Sequence, residues 1–146
     1  MTEPNYDRTG VEILTPDKCR QLLASSSIGR IGLLADGDVL VLPVTYGVAD
    51  EHIVFRTGIG SKLEAAMFFR PVAFEIDSWN AATRTGWSVL VKGMADEVTN
   101  DREVAELEDL GVVPWAAPDL RERWVRIRID EISGRRIGEH PTTPPT

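Results

Sequence analysis

Residues 28–57 read IGRIGLLADGDVLVLPVTYGVADEHIVFRT, and the punctuation of that run decides the fold class. From Ile28 to Ala35, glycine and arginine alternate with apolar side chains, which is the period-two pattern of a strand. Asp36-Gly37-Asp38 then supplies the residues of a short hairpin turn. Val39–Val48 is nearly continuous and apolar, which predicts a strand buried on both faces. Pro43 inside it predicts an edge position or a bulge, because proline cannot donate to a ladder. Ala49-Asp50-Glu51 turns the chain into His52–Thr57, where Ile53 and Phe55 alternate with Val54 and Arg56. Turns this short leave no room for crossover helices, so the strands they join pair antiparallel.

The flanking sequence agrees. Upstream, Thr15 is placed to cap a helix with Pro16 at its first position and Asp17 in its first turn. Cys19, Leu22 and Leu23 then share one face, and Ser25-Ser26-Ser27 ends the run. Downstream of Gly58-Ile59-Gly60, Ser61 can cap a short helix whose Leu63, Ala66 and Met67 share a face, closed before Pro71. Val72–Ile76 and Gly86–Val98 read as strands, the second with Val89 and Val91 on one side. Thr99-Asn100-Asp101 starts an acidic helix running to about Leu110, with Val104, Leu107 and Leu110 as its apolar stripe. Trp124–Ile129 and Ile132–Ile137 return to strand periodicity. The expected class is mainly β or α+β, with six or seven antiparallel strands and two or three short helices. Residues 11–138 form the expected single domain. Polar residues 1–10 and the proline-rich residues 139–146 are expected to be disordered tails.

Composition narrows the function classes. The 146 residues carry a net charge of −7. All of it resides between Asp96 and Glu122, where nine acidic residues face only Arg102 and Arg121. The remainder balances, so an anionic ligand is not opposed there. No basic stripe supports nucleic-acid binding. No apolar run is long enough to span a membrane, and the polar N-terminus has no signal-peptide core, so a cytoplasmic protein is expected. Cys19 is the only cysteine, and His52 and His140 are the only histidines. No metal site is expected from such a set.

Four stretches carry candidate chemistry. FRTGIGSKLEAA, Phe55–Ala66, ends a strand on Arg56 and Thr57, turns on two glycines, and opens a helix at Ser61-Lys62. That places a guanidinium, two hydroxyls and an ammonium near one point, the donor set a phosphate requires. The alternative is a plain turn with a helix cap and two solvated cations. The spacing does not fit a nucleoside-triphosphate loop, which needs four residues between its glycines and then Gly-Lys-Ser/Thr. In TRTGWSVLVKG, Thr83–Gly93, Trp87 offers a flat face beside the Ser88 hydroxyl, or else packs in the core or an interface. LPVTYGV, Leu42–Val48, adds Thr45 and Tyr46 as polar handles. Arg126 and Arg128 share a strand face, and pairing with the acidic helix is favoured over an anionic ligand. Cys19 reads as a buried small side chain, and no Gly-x-Ser-x-Gly elbow is present.

The order IGRIGLL, LPVTYGV, FRTGIGSKLEAA, PVAFEID and GWSVLVKG resembles the pyridoxamine 5′-phosphate oxidase-like family of FMN-binding split β-barrel proteins, from Leu14 to Ile137. The resemblance implies a split barrel and a homodimer with FMN in the groove between subunits. It implies that Arg56, Thr57, Ser61 and Lys62, with Leu63 beside them, hold the FMN phosphate. It further implies that the strand of Pro43, Val44, Thr45 and Tyr46, and the segment Trp87, Ser88 and Val89, line the isoalloxazine. The activity implied is FMN-dependent oxidoreduction of a small organic molecule. The arginine-rich C-terminal signature that holds the vitamin-B6 phosphate is not recognisable, which points away from that substrate. Two alternatives are an F420-dependent reductase and a non-enzymatic flavin- or haem-binding module. Haem would call on His52 or His140.

Overall fold

The computed structural model describes residues 3–58, 61–112 and 123–138, with backbone alone at 61–63. In chain order the elements are β1 (Asn5–Tyr6), β2 (Glu12–Ile13), α1 (Pro16–Ser25), β3 (Ile28–Ala35), β4 (Asp38–Thr45), β5 (Gly47–Ala49) and β6 (His52–Thr57). They continue with α2 (Ser61–Met67), β7 (Pro71–Asn80), β8 (Thr85–Val98), α3 (Asp101–Glu108), β9 (Arg123–Arg128) and β10 (Glu131–Ile137). The main path runs β1-β2-β10-β8-β7-β3-β4, and β5-β6-β9 branches from the far half of β8. All ladders are antiparallel. The sheet is mainly β, with three helices and no closing ladder among the described residues.

Local chemistry accounts for the helix starts. The Thr15 side chain accepts from the Lys18 N–H at 3.2 Å, and Pro16 begins α1. The Asn100 side chain accepts from Arg102 and Glu103 N–H groups at 3.0 and 3.1 Å to begin α3. At the β3–β4 hairpin Asp36 and Gly37 have φ of 50° and 81°. Both central residues are therefore left-handed, the conformation a two-residue hairpin turn requires and Asp-Gly tolerates. That turn fixes an eight-residue register from Ala35↔Asp38 to Ile28↔Thr45.

β8 organises the sheet. One edge pairs with β7 from Asn80↔Thr85 to Pro71↔Met94. Its other edge pairs first with β10, Gly86 to Lys92, and then with β9, Ala95 to Val98. The core fills the inner faces: Ile31 and Leu33, Ile53 and Phe55, Phe74 and Ile76, Val89 and Val91, with Val125 and Ile127. α1 covers it with Cys19 and Leu23. Val54, Val98, Leu107 and Trp124 form a smaller core under α3.

Several expectations change. β4 is buried on one face only, since Val39 and Val41 are 78% and 63% exposed. Among the described residues it pairs with β3 alone and no layer covers its outward side chains; Pro43 sits on this edge strand, as its missing N–H requires. Among the described residues ten strands replace six or seven, because β1, β2 and β5 are only two or three residues long and too short to show a period. Within the first ten residues, Asn5–Tyr6 pairs with Glu12–Ile13 rather than standing free. An Asp7 carboxylate supports that turn by accepting from the Thr9 N–H and hydroxyl and the Val11 N–H. α3 stops at Glu108, leaving Leu110 beyond the helix and exposed. β6 buries Val54 as well as Ile53 and Phe55, because α3 covers its second face. Residues 139–146 and Ile59-Gly60 lie outside the described residues. No helix among the described residues is long and apolar enough to cross a membrane.

Phe69 follows α2 with φ 60° and 78% exposure. Its N–H donates to the Ala95 carbonyl at 2.7 Å, and Phe68 forms a bridge with Ala95. These bonds hold a bulky residue in a left-handed conformation that L side chains avoid. Phe69→Asn should therefore raise stability by about 1 kcal/mol, since Asn visits this region readily. The urea midpoint reads the change; an unchanged or lower midpoint would deny strain at this residue.

Candidate functional site

The end of β6 carries the first candidates. Alternation sends Arg56 and Thr57 to opposite faces. Thr57 is buried, and the Arg56 guanidinium lies over the Trp124 ring, 5.4 Å from its centroid. The two are thus adjacent in the chain without sharing a face. Ser61, Lys62 and Leu63 open α2, and their side chains lie outside the described residues. Next in that helix, Glu64 is buried and pairs with Arg123 at 3.4 Å. Arg123 also reaches Glu97 at 3.8 Å and stands opposite Thr57 in the β6–β9 register. This half-exposed cation beside the expected phosphate cradle was not singled out from the sequence. Its register at the start of β9 is the signal that locates it.

β4 divides by parity. Val44 and the next inward residue, Tyr46, are buried, whereas Pro43 and Thr45 face outward. The Tyr46 hydroxyl donates to the Leu23 carbonyl at 2.6 Å, and its ring meets Phe74 edge-on at 4.9 Å. Burial pushes its phenol up to about 12. That hydroxyl is committed to the core. Thr45 and Tyr46 nevertheless border a cavity of about 480 Å³ with Ser26, Ser27 and Gly47. On β8, Val89 is fully buried, while Trp87 and Ser88 are half-buried.

Register joins the two strands on one outward face. Thr45 pairs with Ile28, and Pro43 with Arg30. Arg30 pairs with Glu75, and Glu75 with Leu90. Ser88 pairs with Asp77. Pro43 and Thr45 of β4 and Ser88 of β8 therefore flank a polar trio from β3 and β7, while Trp87 shares the inward parity of Val89. Arg30 Nη1 lies 3.5 Å from Glu75 and 3.2 Å from Asp77. Burial, then the hydrogen bond with Asp77, pushes the Glu75 carboxyl up to about 7 against the pull of Arg30. Glu75 and Asp77 lie in PVAFEID, where the sequence reading saw only a strand.

Elsewhere the candidates are structural. Arg126 grips Asp96 with two bonds, 2.9 and 3.2 Å, and reaches Glu103 of α3 at 3.3 Å, the pairing expected of it. Arg128 instead pairs with Asp130 of its own turn. Cys19 is fully buried, and burial pushes its thiol up, away from the reactive thiolate. His52 Nδ1 is 2.6 Å from the Asp50 carbonyl and borders a cavity of about 420 Å³ under α3. His140 lies outside the described residues.

Comparison with known proteins adds the following. Residues 15–136 match the family model described as pyridoxamine 5′-phosphate oxidase. The uncharacterised protein Rv0080 of Mycobacterium tuberculosis is 32% identical over 97% of this chain and 94% of its own. Among solved structures, the FAD binding protein from Mycobacterium smegmatis is 32% identical with a TM-score of 0.73, covering 87% of this chain and 98% of that one. A FAD-binding protein from Mesorhizobium loti, 24% identical with a TM-score of 0.67, covers 88% of this chain and 99% of its own and speaks to the fold alone.

Proposed function

The chain belongs to the pyridoxamine 5′-phosphate oxidase family, and from that premise we propose that it binds a flavin, FMN, in a groove shared by two copies. It uses that flavin in the cytoplasm to move hydride or electrons to or from a small organic molecule. The observation that carries this reading is the outward face on which β4 and β8 present Pro43, Thr45 and Ser88. β4 is an edge strand, so its outer backbone groups supply both donors and acceptors, the set that the ring edge of a flavin needs. Bound flavin supplies the redox chemistry, and the protein supplies orientation and hydrogen bonds. Thr45 and Ser88 provide hydroxyls, and Arg56, Thr57, Ser61 and Lys62 the phosphate-binding groups. Tyr46, its hydroxyl committed elsewhere, contributes through backbone and wall.

The same face favours the second copy. β4 and β8 are separated by β3 and β7, so their candidates stand roughly 14 Å apart along the sheet. One flavin head contacts both segments only if a second chain brings its own copy of one of them alongside. Ile28, Leu34, Val39, Val41 and Trp79 are exposed on this face, apolar surface that supports a second copy there.

Lys62→Ala and Arg56→Ala should each weaken FMN binding by ~1.5–3 kcal/mol, the worth of a charged hydrogen bond. Titration followed by flavin fluorescence reads this, and unchanged affinity in both variants would move the phosphate elsewhere. The purified protein should be yellow and release a chromophore of FMN mass. A second reading, FAD, is favoured by the FAD binding protein of Mycobacterium smegmatis, and the released mass distinguishes the two. A mass of F420 would overturn both, although its polyanionic tail suits poorly a chain with so acidic a segment. Binding without turnover across a panel of donors and acceptors would make the protein a flavin module rather than an enzyme.

A further inference from the structure

The outward face described above is apolar towards its ends and charged at its centre. Leu34, Val39 and Val41 are exposed at one end, Ile28 and Trp79 towards the other. Between them, Glu75 and Asp77 lie two residues apart on β7, so they point the same way and share Arg30. β4 presents Pro43 opposite Arg30, and Thr45. β8 presents Leu90 opposite Glu75, Ser88 opposite Asp77, and Lys92 opposite Ala73. One strand further, β10 carries Glu131 opposite Lys92, and Arg135, which leans to Asp7 at 3.9 Å. One guanidinium thus serves two carboxylates, and the ionised trio carries one net negative charge.

We propose that this trio makes the pairing of two copies through this face proton-linked: each copy takes up one proton on its Glu75–Asp77 pair as the face is covered. The dimer therefore tightens towards acid and loosens towards alkali. This inference rests on the shared-groove reading above and adds its regulation. Covering the face removes the water that solvates the surplus charge, which disfavours the ionised form of the pair. A protonated carboxyl can donate to its neighbour while Arg30 balances the remaining charge, and the trio becomes neutral. The single chain is already poised for this, since Glu75 is pushed up to about 7 by burial and by Asp77. Association raises it further. Below neutrality the proton is already bound and affinity does not change with pH. Above neutrality it must be taken up, so the dissociation constant rises. A flavin held between the two copies would be released over the same range.

Sedimentation equilibrium of the full chain without added flavin, from about pH 6 to 9 at constant ionic strength, tests this. The dissociation constant of the wild type should be flat below neutrality and rise at least tenfold, to order of magnitude, by about pH 8.5. Glu75→Gln should remain dimeric with a flat profile. A wild-type dimer indifferent to pH overturns the linkage and leaves the dimer standing. A monomer at every pH overturns the dimer and the linkage with it. A Glu75→Gln profile as steep as wild type assigns the proton elsewhere and overturns the proposal. Should that variant not fold, carboxyl-carbon NMR of the wild type decides: Glu75 should titrate higher in concentrated than in dilute protein, and equal values overturn the linkage.

Discussion

Gly93→Ala is expected to abolish folding or to cost at least about 4 kcal/mol, in the range reserved for clashes that nothing can relieve. Gly93 sits where β8 leaves β10 and takes up β9. A Cβ built there would overlap the Arg128 carbonyl oxygen, with the carbonyl carbon at 2.9 Å and Ile127 Cγ2 at 3.4 Å. The obstacle is backbone, so no side-chain rotation clears it. Neither strand can retreat. β8 is held by Val72↔Gly93 on one edge and Ala95↔Ile127 on the other, and the Asp130 N–H donates to the Lys92 carbonyl at 3.1 Å. Gly32→Ala is the control, because its Cβ would meet the Ala73 Cβ at an ordinary 3.8 Å. Urea unfolding of both variants reads the contrast. Equal midpoints would mean that the β8–β9 crossing yields enough to admit a methyl group.

Gly29→Ala should cost about 3 kcal/mol, near the upper end for overpacking a core. The added methyl would drive into the tip of the Phe74 ring, overlapping Cζ, with Cε1 and Cε2 2.8 and 2.9 Å away. Phe74 is fully buried and braced by the edge-on ring of Tyr46, so it has nowhere to turn. Here the obstacle is a side chain, which makes the effect reversible. Phe74→Leu, costing roughly 1–2 kcal/mol by itself, should recover at least about 1 kcal/mol of the Gly29→Ala loss in the double variant. Strictly additive unfolding energies would show that the two residues do not meet.

The two glycines also show what was legible in the sequence. The expectation that Ile28–Ala35 and the following strand form a hairpin came from local turn chemistry, as did the helix starts at Thr15 and Asn100, and all three stand. Capping and turn geometry involve neighbours in the chain, so a single sequence carries them. The exposed face of β4 was not legible. Val39–Val48 reads identically whether its second face meets a core or stands uncovered, and only the exposure of Val39 and Val41 in the folded chain distinguishes them. β1 and β2 depend on β10, more than a hundred residues away, and are too short to announce themselves.

At the site, strand parity is written in the sequence itself. Residues 43 and 45 share one face and 44 and 46 the other, which already separates Thr45 from Tyr46. The same rule separates Arg56 from Thr57. The Arg30–Glu75–Asp77 trio was beyond reach, because Arg30↔Glu75 is a register between strands with an entire hairpin and helix between them. Arg123 and the buried Glu64 meet for a similar non-local reason.

The double duty of β8 has a consequence for the nascent chain. β7 and β8 are joined by a few residues and can pair as soon as both have left the ribosome. The far edge of β8 must wait for residues 123–137, and meanwhile α3 and the segment after it are still being made. Until then the newborn chain carries an uncovered strand edge flanked by Trp87, Val89 and Val91, the kind of edge on which another unfinished chain can add itself.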